Sequence, residues 1–250
     1  DTTFSQIVKD KLGIPYEDIN FVFNDTRAVS MGWGTYGSRS LAVGGNAVAL
    51  ATDKVVEKGR LLAAHLLEAK ADDIEFNEGV YSVKGDNQKQ KTFQEIAKAA
   101  NFAWDMPEGM EPGLEEKTFF DPSNFTYPFG THIAVVEVDI ETGEIEILRY
   151  ISVDDSGKIV NPTVAEGQIL GGIAQGVGQA LWEGIQYDET GQLQSGSFMD
   201  YTMPKAKFFP EIEMDFTETK SPVNQLGTKG VAESGTTGSI AATADRKSVV

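Results

Sequence analysis

The feature that most constrains the fold is a group of glycines inside a segment with helical periodicity. Over residues 163–185 the apolar side chains recur at helical spacing, although the segment carries Gly167, Gly171, Gly172, Gly176 and Gly178. Each glycine costs a helix roughly 1 kcal/mol relative to alanine. Such a cost is expected where another backbone or a large flat ligand approaches closely. The segment therefore predicts a helix that packs against one or the other.

A second glycine-rich stretch, residues 227–238, holds four glycines around one carboxylate, Glu233. Ser234, Thr236 and Thr237 supply hydroxyls that can cap a helix beginning at about residue 237. A glutamate on a glycine-rich turn beside a helix N-terminus suits a positioned base. Taken alone, the stretch also fits a surface loop with one solvated glutamate.

A third glycine-rich loop precedes the first long helix. Gly32, Gly34 and Gly37 match G-x-G-x-x-G, which in dinucleotide-binding proteins follows a strand directly and opens a helix. Here the predicted helix begins only near Gly44, so a nicotinamide dehydrogenase is an alternative with little support.

The last four residues of that loop are more informative than its G-x-G-x-x-G match. It offers bare backbone N–H groups, two hydroxyls and a guanidinium, in the order Gly37, Ser38, Arg39, Ser40. Such a loop can hold a phosphate or the edge of a pterin. An ordinary polar turn ahead of a helix is the alternative.

Composition excludes several functional classes. The net charge of −17 argues against a nucleic-acid or anionic membrane surface. No apolar run approaches the length of about 18 residues that a membrane span needs. With no cysteine and two histidines, a metal site built by the chain itself is not expected. A metal would arrive inside a cofactor, and we expect a cytoplasmic protein.

The periodicity predicts an α+β chain in two lobes of mixed sheets packed with helices. The first lobe covers residues 1–130, with an irregular, proline-containing connection at 104–130. The second covers 131–250 and carries the glycine-rich helix and the Glu233 loop. Helices are predicted at 3–12, 46–69, 93–100 and 163–185, and strands at 19–23, 72–76, 79–83, 131–139, 144–153 and 211–217.

Taken together, the motifs resemble the large, molybdenum-cofactor subunit of the xanthine oxidase and aldehyde oxidase family. Within it, the aerobic carbon monoxide dehydrogenase branch is the most similar. The motifs keep the family's order over nearly the whole chain: TTF at 2–4, GTYGSRS at 34–40, YPFG at 127–130, DDSG at 154–157, EGQI at 166–169, QGVG at 175–178, GSFMDY at 196–201 and KGVAE at 229–233.

The resemblance implies a molybdenum hydroxylase that oxidises its substrate with oxygen from water. Glu233 stands at the position of the family's catalytic base, after Ala232, where the family usually has glycine. The residues implied to bind the cofactor are Gly37, Ser38, Arg39, Ser40, Asp155, Ser156, Asn161, Gln168, Lys229, Gly230, Val231 and Ala232.

The resemblance also implies cofactors and partners. The expected cofactor is molybdenum with molybdopterin cytosine dinucleotide, joined by copper in a carbon monoxide oxidiser, with the copper ligand outside this chain. Iron–sulfur clusters and FAD are expected on partner subunits, in a dimer of heterotrimers. The chain is expected to be the C-terminal part of the large subunit, to need the remainder of that subunit, and to be inactive alone.

Two alternatives stay open at this point. The substrate could be carbon monoxide, or an aldehyde or N-heterocycle, because the family's substrate loop would lie upstream of Asp1. The chain could also be a separate, non-catalytic split subunit.

Overall fold

The structure, a computed structural model, describes residues 2–29 and 31–244. The chain divides into two compact units. The first consists of Asp1–Gly34 and Ser40–Ser123, and the second of Thr35–Arg39 and Asn124–Val250. The turn at residues 37–39 therefore belongs to the same unit as the Glu233 segment.

The first unit combines three α-helices with a three-stranded antiparallel sheet in the order β1-β2-β3. A short π-helix, Ser40–Gly45, leads into the longest helix. The elements are α1 (Thr2–Leu12), α2 (Asn46–Leu66), β1 (Ile74–Asn77), β2 (Val80–Val83), β3 (Asp86–Thr92) and α3 (Phe93–Phe102).

Local chemistry explains these elements. The β1–β2 hairpin turns at Glu78 and Gly79, both with positive φ, as a two-residue hairpin turn requires. Helix α3 begins with a capping box in which Thr92 and Glu95 each bond the other's backbone N–H. Tyr81 is fully buried against α2.

One prediction for this unit was wrong, and one strand was not predicted. Residues 19–23 form no strand; Phe21 instead packs against Phe4 and Phe23, with ring centroids 5.1 Å and 5.5 Å away. Strand β3 was not predicted, because its sequence, DNQKQKT, contains no apolar residue to reveal an alternating pattern.

The second unit packs two helices against a mixed sheet in the order β4-β5-β6. Strands β4 (Phe129–Val138) and β5 (Ile145–Asp155) form an antiparallel hairpin, and β6 (Ile212–Thr217) pairs with β5 in parallel. The helices are α4 (Pro162–Leu181) and α5 (Ser234–Ala244). The core is formed by Ile147, Tyr150, Ile169, Ile173 and Val177.

Two of the glycines of α4, Gly172 and Gly176, allow α5 to pack unusually close, as predicted for a helix that meets another backbone; Gly167 and Gly171 have nothing within 4 Å of a Cβ position. A Cβ on Gly172 would lie 2.9 Å from the backbone N of Thr236, and one on Gly176 only 2.0 Å from the Ser239 Oγ. From the other side, a Cβ on Gly235 would lie 2.3 Å from the carbonyl of Ile169. The closely approaching backbone is α5, which begins at Ser234 rather than at residue 237.

Within the described residues, no helix is long and apolar enough to cross a membrane.

Candidate functional site

Glu233 immediately precedes α5, and its side chain is exposed. Its carbonyl oxygen accepts hydrogen bonds from both the backbone N and the Oγ1 of Thr237, each at 2.9 Å. These bonds tie the Glu233 backbone to the first turn of the helix. The carboxylate therefore projects from a fixed backbone position.

Ser38 holds the backbone directly before Glu233. The N–H groups of Val231 and Ala232 donate to the Ser38 Oγ at 2.9 Å and 3.0 Å. The contact requires glycine at position 230, because a Cβ there would lie 2.7 Å from the Ser38 Cβ. Gly37 and Ser38 both have positive φ, which forms the tight turn that presents the hydroxyl.

Lys229 and Asp155 form a buried ion pair at the other end of the same segment. Their side chains are 7% and 0% exposed, and Lys229 Nζ lies 2.9 Å from Asp155 Oδ1. The ammonium also lies 4.7 Å from the centre of the Phe129 ring, which adds a cation–π contact.

Each oxygen of the Asp155 carboxylate accepts two hydrogen bonds from the protein. Besides Lys229, the donors are the backbone N of Gly157, the backbone N of Thr219 and the hydroxyl of Thr217. Burial by itself would raise the pKa of Asp155, but these hydrogen bonds, led by that of Lys229, lower it to about 2. The carboxylate is charged at neutral pH.

The loop after Asp155 is joined to the segment that ends at Lys229. The backbone N of Lys158 donates to the carbonyl of Gly227, and the backbone N of Lys229 donates to the carbonyl of Ser156, both at 2.9 Å. Gly157 has a φ of +66°, and a Cβ there would lie 2.3 Å from the Gly227 carbonyl oxygen. The two loops are thus joined through their backbones.

Two buried hydroxyls, one in the loop after Asp155 and one directly after Glu233, lack a partner among the described residues. Ser156 is 2% exposed, and its Oγ makes no hydrogen bond; the buried Oγ of Ser234 makes none either. A buried hydroxyl without a partner costs about 1–3 kcal/mol and is uncommon in folded proteins. Ser234 follows Glu233, and Ser156 contacts Lys229. Polar groups of a bound molecule would satisfy both hydroxyls, so the residues present fit a polar cofactor here.

Other residues singled out in the sequence lie beside this segment or act locally. Asn161 caps α4 by accepting a hydrogen bond from the Val164 N–H at 2.9 Å. Gln168 is exposed on α4, one residue before Ile169, whose carbonyl meets Gly235 of α5.

Arg39 and Ser40 have different surroundings. The Arg39 guanidinium donates to the hydroxyl of Tyr36 at 2.6 Å and lies over its ring. Ser40 is the first residue of the π-helix in the first unit. The structure therefore brings together Ser38, Asp155, Ser156 and the segment 229–232 within the second unit.

A buried polar cluster that the sequence did not predict lies on the inner face of the sheet. It consists of His132, Tyr150, Ser152 and Asp154. Burial raises the pKa of Tyr150, a contact with Ser239 opposes this, and the charge of Asp154 adds to it. The available signal was His132 itself, which occupies an inward position of β4 alongside Ala134 and Val136.

Comparisons with known proteins agree with the resemblance. Residues 1–210 match the model of the molybdopterin cofactor-binding domain. The chain is 44% identical over 239 residues to the carbon monoxide dehydrogenase large chain of Hydrogenophaga pseudoflava, covering 96% of this chain and 30% of that protein.

Solved structures give the same result. Reconstituted CO dehydrogenase from Oligotropha carboxidovorans superposes with a TM-score of 0.90 and 40% identity, covering 96% of this chain and 30% of that one. Quinoline 2-oxidoreductase from Pseudomonas putida 86 superposes with a TM-score of 0.88 and 39% identity, covering 96% and 31%.

The chain thus spans less than a third of the length of these relatives. It belongs to the family of molybdopterin cofactor-binding domains and is similar to part of the carbon monoxide dehydrogenase large chains.

Proposed function

We propose that the chain is part of the molybdopterin-binding large subunit of a molybdenum hydroxylase, with Glu233 as its catalytic base. The observation that carries the proposal is the pair of hydrogen bonds from Val231 and Ala232 to Ser38. They join the loop that resembles a pterin-binding turn to the backbone that presents Glu233. Residues that are far apart in the sequence thereby line one site.

The proposed cofactor contacts follow from which polar groups remain available. Both acceptor positions of the Ser38 hydroxyl are used by backbone N–H groups, which leaves its proton to donate to the cofactor. The buried hydroxyls of Ser156 and Ser234 are further contacts, and the exposed amide of Gln168 is another. When bound, the cofactor supplies two-electron oxidation of the substrate with oxygen from water.

Asp155 and Lys229 have an indirect role in this proposal. Their charged groups bond each other, and separating them to reach a ligand would leave an uncompensated buried charge. They hold the loops on which Ser156 and Gly230 lie. Gly230, Val231 and Ala232 contribute to the shape of the site. The N–H groups of Val231 and Ala232 already donate to Ser38 and do not bond the cofactor.

Glu233 accepts the proton that is released as the substrate is oxidised, at one of its carboxylate oxygens. Its place before the first turn of α5 supports this role, because the bonds from Thr237 hold the backbone from which the carboxylate projects, and a base needs such positioning.

The substrate class is carbon monoxide, and the alternative is an N-heterocycle or an aldehyde. Similarity to carbon monoxide dehydrogenase large chains supports the first, and similarity to quinoline 2-oxidoreductase supports the second. By family resemblance we also propose the cytosine dinucleotide form of the cofactor, copper in a carbon monoxide oxidiser, partner subunits with iron–sulfur clusters and FAD, and a cytoplasmic location. A non-catalytic split subunit is the remaining alternative.

The test uses the full-length subunit with its partner subunits and a dye as electron acceptor. Carbon monoxide, quinoline and an aromatic aldehyde are offered in turn. We expect Glu233→Gln to lower turnover at least about 100-fold, with molybdenum and pterin contents unchanged. Glu189→Gln, at an exposed turn, is the matched control. Unchanged turnover would refute the role as base, and loss of molybdenum would make Glu233 a cofactor-binding residue instead.

A further inference from the structure

Two consecutive aspartates end strand β5, and each is linked to a different end of residues 229–238. Successive side chains of a strand point to opposite faces. Asp155 pairs directly with Lys229, whereas Asp154 faces His132 of β4, whose ring lies against Gly238 of α5. Glu233 lies between Lys229 and Gly238 in the sequence. The end of β5 is therefore linked to Lys229 directly and to Gly238 through His132.

The His132 side of this arrangement is buried and fully hydrogen-bonded. The side chains of His132 and Asp154 are 3% and 1% exposed, with 3.4 Å between Nε2 and the Asp154 carboxylate. The other ring nitrogen, Nδ1, lies 2.8 Å from the Tyr150 hydroxyl. Ser152 bonds both the imidazole and the Asp154 carboxylate. Such a network fixes the orientation of the ring.

The ring in turn sets the position of α5. A Cβ on Gly238 would lie 2.6 Å from Cγ and 2.7 Å from Cδ2 of His132, so the helix backbone rests directly on the imidazole. Gly238 lies about one helical turn after Ser234. A displacement of the ring would therefore move the start of α5, where Glu233 is attached.

We propose that the His132–Asp154 pair is a positioning element that fixes the Glu233 carboxylate relative to the bound cofactor. The inference rests on the proposed role of Glu233 and extends it to residues that touch neither cofactor nor substrate. The Lys229–Asp155 pair anchors the segment before Glu233, and His132–Asp154 anchors the helix after it. Loss of the His132–Asp154 contact leaves the Lys229–Asp155 pair intact. Retention of the cofactor can therefore be measured separately from the positioning of Glu233.

The test compares two substitutions of His132 in the full-length subunit with its partners. His132→Gln can place an amide near the position of Nε2, within reach of Asp154 and Ser152. His132→Asn reaches only the position of Nδ1, near Tyr150, and leaves Asp154 with Ser152 but without the imidazole. Measurements are kcat and KM for whichever probe substrate the wild type oxidises, molybdenum and pterin contents, and amide hydrogen exchange over residues 229–238.

For His132→Asn we expect kcat to fall about tenfold or more, since small misplacements of a catalytic group are costly. We expect KM and cofactor content to stay near wild type and exchange over residues 229–238 to rise. His132→Gln should recover most of kcat and of the exchange protection. Unchanged kcat and exchange in His132→Asn would overturn the proposal, as would a fall in kcat matched by an equal loss of molybdenum.

The exchange measurement separates this inference from the proposed function. If Glu233→Gln keeps full turnover while His132→Asn still exposes residues 229–238, the role as base fails but the anchoring of the segment stands. If Glu233→Gln abolishes turnover and His132→Asn changes neither exchange nor kcat, the anchoring is refuted.

Discussion

Lys229 and Asp155 form a buried ion pair in which Nζ lies 2.9 Å from Oδ1, with the ammonium over the ring of Phe129. The pair joins the end of β5 to the segment that presents Glu233. Its two members are 74 residues apart in the sequence.

Removing one member of the buried pair should destabilise the second unit strongly. Lys229→Met leaves the Asp155 carboxylate buried without its cation, which costs about 3–5 kcal/mol. The matched control is Arg149→Met, which breaks an exposed pair with Glu213 and should cost less than about 1 kcal/mol. Thermal unfolding of both variants measures the difference; similar melting temperatures would contradict it.

Stability should fall in acid because of Asp155. Its pKa in the folded protein is about 2, below its ordinary value of 3.8, so the folded state binds this proton more weakly than the unfolded state does. The carboxylate therefore contributes about 2 kcal/mol above pH 4, and this is lost as the pH falls from about 4 to 2. Unfolding free energies measured against pH should show a shallower loss in Asp155→Asn. An identical acid dependence in both proteins would refute the assignment.

Alanine substitutions along α4 should divide according to whether the glycine meets α5. Gly176→Ala places a Cβ 2.0 Å from the Ser239 Oγ, and such overpacking costs about 1–3 kcal/mol. Gly167 has nothing within 4 Å of the same position, so Gly167→Ala should stabilise the helix by up to about 1 kcal/mol. Melting temperatures in the same background decide between them. A lower melting temperature for Gly167→Ala than for Gly176→Ala would contradict this packing.

Ser38→Ala should lower cofactor retention. It leaves the N–H groups of Val231 and Ala232 without their acceptor, which costs about 1–3 kcal/mol if they stay buried, and it loosens the segment before Glu233. Ser123→Ala, at an exposed position, is the control. Molybdenum and released pterin per subunit are the measurements; contents equal to the control would show that the Ser38 turn does not support the cofactor.

Local patterns predicted most of the helices and the β4–β5 hairpin, because their apolar residues recur with a clear period. The same criterion failed at β3, which is entirely polar, and at residues 19–23, which pair with no described strand and instead pack on α1 through Phe4 and Phe21. The close helix contact could be predicted because each glycine lowers the stability of a helix. Several glycines in one helix are therefore expected where a larger side chain would not fit.

The candidate site was only partly predictable. The segments were identified by their resemblance to a family, but the pairing of Lys229 with Asp155 depends on distant parts of the chain that no local pattern connects. The same holds for Ser38, whose partners are backbone atoms beside Ala232. His132 escaped notice because a single histidine in a strand resembles a solvated residue until its burial is known.

The role of Glu233 is tested most directly by an experimental structure of the full-length subunit with its molybdenum cofactor bound. We expect a carboxylate oxygen of Glu233 to lie within hydrogen-bond reach, about 2.6–3.2 Å, of an oxygen ligand of the molybdenum or to reach it through one water. We also expect the hydroxyls of Ser156 and Ser234 to contact the cofactor. A Glu233 carboxylate directed away from the metal, with both hydroxyls bonded elsewhere, would refute its role as the base.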